Sequence, residues 1–147
     1  GGGGGGGLRA FYPPVTAVEF QLLNNQLKYG ESLHVRLILE LEAPLPHPVI
    51  TLAIRSETGN YVAGWRTGGA DDPLPAGRMQ VDFSVGPLWL VPGRYVCTGG
   101  VREKGNAEHK VWLYDQTEFT MTGTEKPAGP LNVILPCQGY RVTPLNV

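Results

Sequence analysis

The sequence predicts an all-β fold, an immunoglobulin-like antiparallel β-sandwich. Three observations point to it. Apolar and polar residues alternate in short runs along most of the chain, the period-two signature of half-buried strands. Turn-forming residues separate those runs at near-regular intervals. No segment offers an unbroken amphipathic helix of roughly ten residues or more. Seven or eight short strands in about 130 residues suit two packed antiparallel sheets.

The elements follow in order. Residues 15–23 form the first run, closed by Asn24-Asn25. Residues 32–42 show the alternation best. Leu33, Val35, Leu37, Leu39 and Leu41 share one face, and His34, Arg36, Glu40 and Glu42 the other, with Ile38 the exception. Pro44, Pro46 and Pro48 bar a helix and mark a strand boundary. In 49–57, Ile50, Leu52 and Ile54 point inward and Thr51 and Arg55 outward. After Thr58-Gly59-Asn60, the run 61–67 is expected to turn Val62 and Gly64 inward and Tyr61 and Trp65 outward. In 79–85, Val81, Phe83 and Val85 alternate with Gln80, Asp82 and Ser84. Leu90-Val91-Pro92-Gly93-Arg94-Tyr95 reads as a crossing between sheets, with Tyr95 bonding back to the corner backbone. Runs 95–102 and 110–121 flank the turn Lys104-Gly105-Asn106. Residues 124–130 read as a linker before a strand at 131–135, inside the C-terminal segment 131–147. A strand beyond a linker can pair with its own sheet or a neighbour's, so its exchange in a dimer is expected.

Composition bounds the function. With 41% apolar residues the chain can bury a core, and residues 8–147 are read as one domain. The run Gly1 to Gly7 satisfies GxGxxG trivially. No strand precedes it, so it is read as a leader outside the fold: a tag, a linker or placeholder residues. Twelve basic residues against 13 acidic ones leave a net charge of −1, which argues against nucleic acid as a partner. No apolar run is long enough to span a membrane. No secretion signal is recognised, which leaves the compartment open. Cys97 and Cys137 lack zinc-site spacing. Reduced thiols are expected, with Cys97 in the core, and a disulfide is the alternative for a secreted protein. The absence of an Asn-x-Ser/Thr sequon mildly disfavours an extracellular glycoprotein.

Catalytic and metal signatures are thin. His34, His47 and His109 are scattered, and no HExxH, GxSxG or P-loop motif occurs. Asp71-Asp72 lacks the carboxylate spacing of a calcium loop and reads as solvated. Glu103 and Asp115 make no convincing glycosidase pair. A non-catalytic domain without cofactor or metal is therefore expected. Aromatic placement says more. Val111, Leu113, Phe119 and Met121 share the inward parity, leaving Trp112 and Tyr114 outward. If the strands are neighbours, Tyr61, Trp65, Arg66, Arg102, Trp112, Tyr114 and Asp115 line one surface. Such rings stack on the C–H faces of a sugar while charged groups bind its hydroxyls or an acidic substituent. The competing assignment buries these aromatics at a dimer interface or under a loop; for Trp89, beside the Pro92-Gly93 corner, core or loop packing is expected.

The series Val49–Ser56, Val62-Ala63-Gly64-Trp65-Arg66-Thr67, Leu90-Val91-Pro92-Gly93-Arg94-Tyr95, Trp112 to Phe119 and Leu135-Pro136…Tyr140-Arg141-Val142 follows a known order. From about Val15 to Val142 the chain resembles the Wzt C-terminal domain family, the C-terminal part of the ATP-binding subunit of O-antigen ABC transporters. That resemblance implies a cytoplasmic β-sandwich that reads the finished, often capped, end of a lipid-linked O-antigen polysaccharide before export. It implies as partners an upstream ATPase domain, the membrane subunit of the transporter, and a second copy exchanging the last strand. Ala63-Gly64 stands where the family usually has Phe-Gly, and Tyr140 where it often has Trp. Because the family's binding residues vary with the sugar, no residue role carries over. The alternative is a structural or adhesive immunoglobulin-like module without a glycan ligand.

Overall fold

The structure, a computed structural model, describes residues 8–67, 73–123, 133–135 and 138–145; the side chains of 8, 114–116, 133–135, 138 and 139 lie outside that description. The described residues contain eleven strands and no helix: β1 (Leu8–Phe11), β2 (Val15–Leu22), β3 (Gln26–Lys28), β4 (Leu33–Leu41), β5 (Pro48–Ser56), β6 (Tyr61–Arg66), β7 (Gly77–Val85), β8 (Gly93–Glu103), β9 (His109–Thr122), β10 (Val133–Leu135) and β11 (Gln138–Pro144). Seven strands form one sheet in the order β1-β9-β8-β5-β6-β10, with β3 also paired to β9. The other sheet has the order β11-β7-β4-β2.

The fold class expected from the alternation is the one observed. Leu33, Val35, Leu37, Leu39 and Leu41 of β4 are all buried, facing Ile50, Leu52 and Ile54 of β5 across the sandwich. Val111, Leu113, Phe119 and Met121 are buried as their parity requires. The seven-stranded sheet is not purely antiparallel, because β10 runs parallel to β6 and β3 parallel to β9. Strands β1, β3 and β11 are additions to the expected set, and β10 and β11 place the C-terminal segment on both sheets.

The corner before β8 forms as expected. The Tyr95 hydroxyl donates to the Val91 carbonyl at 2.6 Å, while its buried ring stacks on Phe119 at 5.5 Å. That burial raises the phenol above its ordinary pKa. Gly93 adopts φ 149°, which the β-carbon of other residues disfavours. Cys97 is fully buried, as expected, and Cys137 lies outside the described residues.

Strand β6 departs from the expected parity. Its pairing with β5 shifts register between Ile54 and Arg55, the mark of a bulge. Val62 and Ala63 are both buried in succession, and the parity reverses beyond them. Trp65, expected outward, therefore pairs with Leu52, is 2% exposed, and stacks on Phe83 of the opposite sheet at 4.1 Å and 7°. Gly64, expected inward, shares the outward row of Ala53.

Candidate functional site

Parity and register define the outer face of the seven-stranded sheet. One row crosses five strands: Ala10 (β1), Trp112 (β9), Gly100 (β8), Thr51 (β5) and Arg66 (β6). At about 4.8 Å per strand, the backbones of Trp112 and Arg66 lie about 14 Å apart. The row beside it holds Thr98, Ala53 and Gly64. Small side chains thus occupy the middle of this face, with Gly100 and Thr98 buried and Thr51 half-buried, and larger ones stand at its ends.

Gly100 is required by a close approach. A β-carbon there would meet His109 Cδ2 at 2.8 Å and Thr51 Oγ1 at 2.9 Å. The His109 ring lies against this glycine and turns an edge to Trp112, with centroids 4.6 Å apart at 61°. Trp112 is half-buried and so held in place with part of its surface open. Burial, and then the charge of nearby Arg102, lower the His109 pKa below its ordinary value, so the neutral ring is favoured. Arg102 pairs in register with Val49, one outward step from Gly100. Farther along the face, the Arg55 guanidinium lies 5.6 Å from the centroid of Tyr61, which is 52% exposed.

The structure therefore brings Tyr61, Arg66, Arg102 and Trp112 onto one face, and removes Trp65 to the core. Tyr114 pairs with Leu8 through its backbone; its side chain and that of Asp115 lie outside the described part. Asp71 and Asp72 are also outside it. Sequence reasoning missed His109, Gly100 and Thr51. His109 shares the parity of Val111, but the register shift between Val101 and Arg102 reverses it. The signal available was Gly99-Gly100 inside a strand, since such glycines mark close approach. Trp89, expected to be packed away, is instead 53% exposed: it packs over Gly30 and edge-on to Tyr29 at 4.8 Å with the rest of its ring open.

A cavity of about 130 Å³ lies on the other sheet, lined by Ala17, Val18, Glu19, Ile38, Leu39, Glu40 and Arg78. It presents no aromatic ring on which a sugar could stack. Among the described residues, no three His, Cys, Asp or Glu side chains converge as metal ligands. Among them, too, no helix is long and apolar enough to cross a membrane.

Comparison with known proteins agrees with this architecture. A search of curated protein sequences finds no match. Among solved structures, a crystal structure of the C-terminal domain of Wzt is similar, with a TM-score of 0.69 at 15% identity, covering 96% of this chain and 86% of that one. A CARDB domain from Pyrococcus furiosus, in complex with di-metal ions, has a TM-score of 0.44 at 12% identity, covering 77% of this chain and 93% of that one. The family model of the Wzt C-terminal domain matches residues 16–133, so this chain belongs to the Wzt C-terminal domain family.

Proposed function

We propose that this chain is a non-catalytic carbohydrate-recognition domain that binds the terminus of a lipid-linked O-antigen polysaccharide for export by an ABC transporter. The single observation that carries the site is the outward row from Trp112 across Gly100 and Thr51 to Arg66. The Trp112 ring offers a flat apolar surface for a pyranose face, Thr51 a hydroxyl, and the arginine a charged donor fork. Family membership supports the same reading. The domain works in the cytoplasm, beside the transporter's ATPase domain and membrane subunit, as a homodimer in which the last strands cross between copies.

The test is calorimetric titration with polysaccharide from the source organism, paired with a Trp112→Ala variant. Saturable binding that falls about tenfold or more in the variant, at unchanged melting temperature, supports the reading. Equal binding by both proteins places the site elsewhere. Absence of binding to the native polysaccharide favours a structural module.

A further inference from the structure

Trp89 is exposed although its neighbours in the chain are not. Leu88 and Leu90 are buried on either side of it, so the backbone is anchored in the core and the indole between them is turned out. That backbone is also locked to the turn after β3. Gly30 donates to the Leu88 carbonyl at 2.8 Å, and Leu88 donates to the Glu31 carbonyl at 3.0 Å. The ring itself is held from below. Its six-membered ring lies on Gly30, where a β-carbon would meet Trp89 Cζ3 at 2.6 Å, and Tyr29 meets it edge-on. Gly30 has φ 90°, a conformation that disfavours any side chain there. Glycine thus seats Trp89 as Gly100 seats His109. A ring already fixed in place loses little freedom on binding, so more of its contact energy reaches the ligand.

The surroundings of this ring suit one sugar unit. Lys28 and Glu31 are exposed in the same turn, and the Glu31 carboxylate accepts from the Lys28 amide, which fixes it there. A pyranose can stack its C–H face on the indole while such charged groups take its hydroxyls. The exposed charges described at this end, Lys28, Glu31, Glu57 and Arg94, balance, so no basic excess favours an anionic bilayer. One indole with a tyrosine edge also falls far short of the roughly 800 Å² per partner that a stable protein interface buries. The ring is too far from Trp112 for one sugar unit to touch both. Trp112 pairs with Gly100 and Met121 with Gly93, seven residues apart on β8, or about 23 Å. The turn that carries Tyr29 and Gly30 begins beyond that point, since Lys28 pairs with Thr122. We propose that Trp89 is a second sugar-binding platform, which takes an internal unit of the same polysaccharide chain whose terminus sits at Trp112. This rests on the carbohydrate-recognition reading and extends it: one chain is held at two points, and the second contact is intramolecular.

The experiment is calorimetry with two ligands from the source organism, the intact lipid-free polysaccharide and a short fragment that carries its terminus. The intact chain is expected to bind about tenfold or more tighter than the fragment. Trp89→Ala should remove that advantage and leave the fragment's affinity and the melting temperature unchanged. Trp89→Phe, which keeps a ring on Gly30, should retain most of the advantage. Trp112→Ala should weaken both ligands. Equal affinity of the unmodified protein for the two ligands, an undiminished advantage in Trp89→Ala, or equal weakening of both ligands by Trp89→Ala overturns the second platform and leaves the Trp112 site standing. If Trp89→Ala keeps the advantage but loses adhesion to phosphatidylglycerol vesicles, or loses mass in light scattering, the ring serves a membrane or a second copy instead, and the proposal fails. No binding of either ligand by the unmodified protein overturns both readings.

Discussion

Single residues decide what the outer face presents, and Gly100 does so by what it lacks. Gly100 has no β-carbon, so His109 can lie on the strand and brace Trp112. Gly100→Ala is expected to cost about 1–3 kcal/mol through overpacking and to displace His109. Chemical denaturation checks the first effect, and the imidazole proton signals of His109 the second. Tyr95 secures the corner before β8 through its bond to the Val91 carbonyl. Tyr95→Phe should cost about 1 kcal/mol or more, read in the same denaturation experiment. His109 carries the pH dependence. Its pKa is lowered in the folded chain, so the unfolded chain binds more protons near the ordinary value of 6.5. Its contribution to stability is therefore present above that value and lost as the pH falls through the folded pKa. His109→Gln should flatten the decline of stability below about pH 6.5. Arg102 from β8 is the cation acting on this ring, with Thr51 of β5 and Trp112 of its own strand as neutral neighbours.

Among the elements, long strands with one wet face were legible and short or irregular ones were not. Strand β4 reads directly from its five inward aliphatics, because one continuous register fixes every side chain. Strands β1 and β3 have four and three residues, too few for alternation to emerge, and β11 contains Gly139 and an irregular register beside β7. The site was half legible for a related reason. Parity placed Trp112 and Arg102 on the outer face, and two bulges, in β6 and at the β8–β9 junction, hid Trp65 and His109 from the same rule. The contrast between two tryptophans tests this at the level of strands. Trp65→Ala removes a ring that is 2% exposed and stacked on Phe83 across the sandwich, and should cost about 3–5 kcal/mol. Trp112→Ala should cost much less stability and far more glycan affinity. Thermal unfolding and calorimetry of the two variants separate core from site; equal destabilisation by both would contradict the β6 bulge.

For the whole molecule, the arrangement divides labour between two sheets. The seven-stranded sheet offers the arginine- and aromatic-bearing face, and the other closes the core behind it. The C-terminal strands reach both sheets, β10 along β6 and β11 along β7, so they tie the site-bearing sheet to its support. The segment joining β9 to β10 lies outside the described residues. Exchange of β10 and β11 between copies would preserve those pairings. Light scattering is then expected to give twice the chain mass of 15.9 kDa, whereas a single-chain mass would place both strands on their own copy. The most direct measurement of the central claim is an amide NMR titration with the source polysaccharide, mapped onto the two outer faces. The account predicts saturable shifts at Thr51, Arg66, Gly100, Arg102 and Trp112, with the β2-β4-β7 face unmoved. Shifts confined to Glu19, Ile38, Glu40 and Arg78, around the cavity of the other sheet, would contradict it.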